Sequence, residues 1–131
     1  MIVVDTSALI DILVERPLNI ALRQRISGAA ELHAPHLIDI EFLSVIRRLV
    51  RIQALSADAA AVAREQFEDL SIERYSHESL RDRIWQLRDS LTAYDGAFVA
   101  LSETLGLPLV TADGRAARSH GHHAQVESYA R

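Results

Sequence analysis

Four carboxylates stand where chemistry is expected, although Asp5 alone could equally cap the helix that follows it. Asp5 closes the apolar run Met1-Ile-Val-Val and is followed by two hydroxyls, Thr6 and Ser7. Asp113 closes a second apolar run, Leu107-Pro-Leu-Val, through Thr111-Ala-Asp113. Uncharged runs rich in β-branched residues read as strands buried on both faces of a parallel sheet, and ligands sit beyond the carboxyl ends of such strands. Glu41 has Ile38 three residues before it and Val45 four after; Asp95 has Phe98 and Val99 three and four residues on. Both acids therefore fall on inward helical stripes. An ionised carboxylate buried without a partner is costly and either protonates or recruits a cation. The chain has no Lys, and spacing places no Arg as an obvious partner. A divalent metal is the economical answer, and hard oxygen ligands beside hydroxyls suit Mg2+ or Mn2+.

The elements that must carry these acids alternate between strand and helix. After the first strand a helical pattern follows at Ala8, Leu9, Ile12 and Leu13. Pro17 opens a second helix over 18–26, which Gly28 ends. A short strand at 31–34 stops at Pro35, and a long helix over 37–52 is apolar on one side, with Arg47, Arg48 and Arg51 on the other. Asp39 reads as a cap at its start. Ser56 caps a helix running to Leu70. A strand at 72–75, a charged helix at 77–88, a helix at 94–105 closed by Gly106 and an edge strand at 125–129 complete the chain. This alternation predicts an α/β fold, a central and mostly parallel sheet covered on both faces, in one domain over 1–131.

Composition narrows the class. A chain of 131 residues buries a core without staples, and with no Cys it forms neither disulfides nor thiolate metal sites. No segment approaches membrane-spanning length and no basic leader precedes the first strand, which points to a cytoplasmic protein without membrane contact. The net charge of −4 does not advertise nucleic-acid binding. All 14 basic residues are Arg, however, whose planar fork suits phosphate and stacks on bases.

In this order, Asp5-Thr-Ser, Glu41 early in the long helix, Tyr94-Asp95 opening a helix and Thr111-Ala-Asp113, the chain resembles the PIN-domain ribonucleases. More narrowly, it resembles the VapC toxins of bacterial VapBC toxin–antitoxin pairs, over its whole length. The resemblance implies a three-layer α/β/α domain. It makes Asp5, Glu41, Asp95 and Asp113 the catalytic acids, with Asp5, Asp95 and Asp113 as ligands of Mg2+ (Mn2+ is an alternative). Thr6, Ser7 and Thr111 match the hydroxyls that flank them. It further implies an endoribonuclease acting on structured RNA such as tRNA or ribosomal RNA, leaving a 5′-phosphate and a 3′-hydroxyl and arresting translation. A VapB-type antitoxin and a two-fold dimer follow from the same resemblance. Gly96 departs from the Ala often found after the third acid.

Other residues have plainer readings. Thr6 and Ser7 read as helix caps as readily as ligand supports. Arg115, two residues past Asp113, is placed to meet a substrate phosphate. Arg81, Arg83 and Arg88 read as a solvated face, Trp85 as core, and His120-Gly-His122-His123 as a loose tail. A receiver domain would need a Lys, and a haloacid-dehalogenase-type phosphatase would need Asp where Ser7 stands. The alternative that survives is a non-catalytic RNA- or protein-binding module, whose mark would be a missing acid among the four. None is missing.

Overall fold

Strand β1 (Ile2–Val4) has no accessible surface at any of its three residues, so the chain begins in the middle of the core. The computed structural model describes all 131 residues. After β1 come α1 (Thr6–Leu13), α2 (Ile20–Ser27), β2 (Leu32–Pro35), α3 (Leu37–Arg51), α4 (Ala57–Asp69) and β3 (Ile72–Tyr75). The second half holds α5 (Arg81–Gln86), α6 (Ala93–Leu105), β4 (Leu109–Thr111), α7 (Arg115–Arg118) and β5 (Val126–Ser128).

The five strands lie in the order β3-β2-β1-β4-β5, and every neighbouring pair is parallel. The chain moves outward from β1 through β2 to β3, then returns to the other side of β1. Right-handed crossovers therefore put α1, α3 and α4 on one face and α6 on the other, giving three layers. The strand order reverses between β1 and β4, which opens a crevice at their carboxyl ends. Asp5 follows β1 directly, and Asp113 lies two residues past the end of β4.

One continuous core of 25 buried residues joins the layers. Phe42 of α3 stacks on Phe67 of α4 at 4.1 Å between ring centroids, holding these two helices together. On the opposite face, Phe98 to Leu101 of α6 are buried against the sheet.

Several expectations are corrected. Helix α2 starts at Ile20, because the Asn19 side chain accepts from the Leu22 amide and donates to the Tyr129 carbonyl. The charged helix expected at 77–88 splits into a 3-10 turn, Glu78–Leu80, and α5, with Leu80 turned into the core. Asp39 is no cap: it holds Arg74 of β3 through two hydrogen bonds of 2.7 and 2.8 Å. Trp85 is 66% exposed rather than core, with the Arg88 guanidinium 4.5 Å above its ring. Arg83 leaves the solvated face to bind the buried Glu103 carboxylate at 2.7 and 2.9 Å. The histidine tail is anchored: the His123 amide and ring also reach Glu103, and His122 meets the Ala116 carbonyl at 2.9 Å.

Candidate active site

Asp5 is the N-cap of α1, and its Oδ1 accepts from the Ala8 amide at 3.0 Å and the Ser7 hydroxyl at 2.7 Å. The β1–α1 junction thus points a carboxylate into the crevice while satisfying the start of the helix. Ser7 also ties the two central strands together. Its Oγ lies 3.1 Å from Thr111 Oγ1 and accepts from the Ala112 amide at 3.1 Å. Thr111 in turn accepts from the Asp113 amide at 2.9 Å, fixing the turn that presents the fourth acid. Thr6 spans the crevice to α3, donating to Glu41 Oε1 at 2.7 Å. Of the cap candidates Asp5, Thr6 and Ser7, Asp5 is the cap, and the two hydroxyls position carboxylates. Asp95 sits in the first turn of α6, where Thr92 caps the helix by accepting from its amide at 3.2 Å.

All four acids line one cleft of about 420 Å³, together with Thr6, Ser7, Arg48 and Arg115. Of Arg47, Arg48 and Arg51 on α3, only Arg48 lines it. Asp11, which the sequence reading passed over, is a further acid of the wall. It is 6% exposed and is held by the Arg131 guanidinium at 3.0 and 3.1 Å. Its place one turn after Ser7, between the apolar Ile10 and Ile12, was the available signal.

The electrostatics show crowding. Burial pushes the Asp5 carboxyl up to about 6, against the hydrogen bonds from Thr111, Ser7 and Ala8, and the charge of Asp113 adds to the rise. Burial likewise raises Glu41 and Asp95; Asp95 adds to the rise at Glu41, and Asp113 to that at Asp95. At Asp113 burial is outweighed by Arg115, with help from Arg118, and the pKa falls below its usual value. The expectation that no basic partner reaches these acids is corrected here. The turn into α7 folds Arg115 back so that Nε and Nη2 each lie 2.6 Å from Asp113 Oδ2, with Nη1 3.6 Å from Asp95 Oδ2.

The donor set of carboxylates and hydroxyls is chemically right for a hard divalent cation. In this arrangement the Arg115 guanidinium is the cation that lies beside Asp113 and Asp95.

This architecture and site have relatives. The PIN domain pattern matches residues 2–120 of the chain. The protein belongs to the PIN-domain family. Within that family, Ribonuclease VapC12 of Mycobacterium tuberculosis is 40% identical over 127 residues, which cover 97% of this chain and 98% of the relative. The chain is thus a member of the VapC ribonucleases. Among solved structures, PAE2754 from Pyrobaculum aerophilum superposes with a TM-score of 0.69 at 23% identity, covering 95% of this chain and 81% of that one. VapC20 of Mycobacterium tuberculosis, described as a sarcin-ricin loop cleaving toxin, superposes with a TM-score of 0.64 at 18% identity, covering 94% and 97%. These two likenesses carry the PIN fold, while the VapC12 match carries the membership.

Proposed function

We propose that this VapC-family chain is a divalent-metal-dependent endoribonuclease toxin that hydrolyses phosphodiester bonds of structured RNA, tRNA or ribosomal RNA, in the cytoplasm. The observation that carries the reading is the shared cleft. Four acids from the ends of β1 and β4 and from α3 and α6 meet there, and three of them are pushed up in pKa, chiefly by burial and in part by a neighbouring carboxylate. Asp5, Asp95 and Asp113 would hold Mg2+ or Mn2+. When bound, the ion lowers the pKa of a coordinated water and withdraws charge from the scissile phosphate. Glu41, held by Thr6, accepts a proton from the attacking water. Arg115, released from Asp113, neutralises a phosphate oxygen of the RNA. Ser7 and Thr111 keep Asp5 and Asp113 in register. As the water oxygen bonds to phosphorus, the bond from phosphorus to the 3′-oxygen breaks and that oxygen takes a proton from solvent, so a 5′-phosphate and a 3′-hydroxyl are the products. That VapC20 is described as cleaving the sarcin-ricin loop supports ribosomal RNA as one substrate class.

A VapB-type antitoxin would silence the site by placing a basic side chain among the acids, as Arg115 does here. Its apolar part would lie along α2 and α4. A homodimer would form through α3 and α4, where Ile40 (67% exposed), Leu43 (46%) and Val62 (52%) are uncovered. No helix is long and apolar enough to cross a membrane. The test is purified protein incubated with total cellular RNA, with the fragment ends mapped in Mg2+ and in EDTA. Discrete cuts bearing 5′-phosphates in Mg2+ alone support the reading; intact RNA in both arms refutes it and favours a non-catalytic binding module.

A further inference from the structure

The catalytic cleft does not end at Arg115. A second cleft of about 430 Å³ continues from it, sharing Asp95 and Arg115 as common wall and running between the 89–92 loop and the end of α7. Arg118 and His120 line it. Arg118 differs from the two arginines that already hold acids of the catalytic cleft. Arg115 binds Asp113, and Arg131 binds Asp11, but the Arg118 side chain has no hydrogen bond or ion pair within the chain. Its exposed guanidinium lies against Gly114. From there it is near enough to lower the pKa of Asp113. Asp89 is the one acid of the second cleft that is not part of the catalytic cluster. The N-terminus of α6, a helix of 13 residues, opens onto the same space at Thr92, and Tyr94 beside it is 61% exposed.

An unpaired guanidinium, a helix start and an exposed ring are what a single-stranded polynucleotide asks of a neighbouring subsite. The guanidinium takes the phosphate as a fork, first-turn amides add to it, and the ring stacks a base. We propose that the Arg118–His120 cleft binds the phosphodiester adjacent to the scissile one, guiding single-stranded RNA past Arg115 and out of the catalytic cleft; this rests on the nuclease reading above. Arg118 is then a positioning residue that touches no reacting atom.

The test uses the full chain and a single-stranded RNA oligonucleotide spanning a mapped cleavage site. Binding is followed by fluorescence anisotropy in EDTA over a range of NaCl concentrations. Arg118→Gln should weaken binding about tenfold and reduce the slope of log K against log[salt] by about 0.7, the value for one phosphate contact on a single strand. Arg118→Lys should restore the slope. Arg23→Gln, an exposed change on α2, should leave both quantities alone. A neutral methylphosphonate at one phosphate flanking the scissile bond should weaken wild-type binding and cost Arg118→Gln nothing further. If wild-type protein cuts the oligonucleotide in Mg2+ while Arg118→Gln keeps the wild-type affinity and slope, the subsite is refuted and the nuclease reading stands. If wild-type protein cuts no RNA, both fall.

Discussion

Arg115 and Asp113 are joined by two contacts of 2.6 Å, Nε and Nη2 to the same carboxylate oxygen, while the far nitrogen of the guanidinium lies 3.6 Å from Asp95. A side chain expected to meet substrate thus occupies two of the acids that the proposed metal would use. The first prediction is a competition. Arg115→Ala should bind Mn2+ about tenfold more tightly by isothermal titration calorimetry, since the ion no longer displaces a resident cation, yet cleave RNA more slowly for want of a phosphate partner. Weaker Mn2+ binding by the variant would show that Arg115 supports the metal site rather than blocks it.

The second prediction concerns pH. A carboxyl whose pKa is raised from 3.8 to about 6 on folding holds its proton more tightly in the folded state. Its stabilising contribution is complete below pH ~4 and lost as pH rises through about 6. Asp5→Asn keeps an acceptor for Ser7 and the Ala8 amide and removes this dependence. In EDTA at pH 7 the variant should be more stable than wild type by on the order of 1–3 kcal/mol, with a flatter profile from pH 4 to 8 by thermal melting. A lower melting temperature at pH 7 would mean that an ionised Asp5 stabilises the fold as the cap of α1.

The third prediction isolates a hydroxyl. Thr6 donates to Glu41 at 2.7 Å across the crevice, and Val has nearly its shape. Thr6→Val should melt near the wild-type temperature but lower kcat for RNA cleavage about tenfold, with KM unchanged, because a loosened Glu41 is poorly aimed at its proton. An unchanged kcat would remove Thr6 from the positioning set.

How far the sequence carried these conclusions depends on whether a residue's setting is local. Strand β1 was legible because three uncharged β-branched residues admit no exposed face, and the inward bearing of Glu41 and Asp95 followed from helical spacing. The contacts of Arg74, Arg83 and Arg131 were not legible: each reaches a carboxylate 20 to 120 positions away, and only the fold brings them together. Trp85 misled because burial was read from residue type, whereas α5 is a short helix with no buried residue. Arg115 misled differently. Its distance in sequence from Asp113 was plain, but the tight turn into α7 that folds its guanidinium back has no strong signature.

The fourth prediction follows from uncovered apolar surface on α3 and α4. Light scattering at micromolar concentration should give a dimer for wild type and a monomer for Ile40→Asp combined with Val62→Asp, two exposed positions whose change leaves the core intact. A wild-type monomer that cleaves RNA at full rate would dismiss the dimer and leave the acids untouched.

The central claim is that these acids bind a divalent cation, and the direct measurement is titration of the metal-free chain with Mn2+, read by the loss of the free-ion paramagnetic resonance signal. Wild type should remove Mn2+ from solution in whole-number stoichiometry, and folded Asp95→Asn should remove little at the same concentrations. Equal uptake by the two proteins, or none by wild type while it still cleaves RNA, would contradict the account.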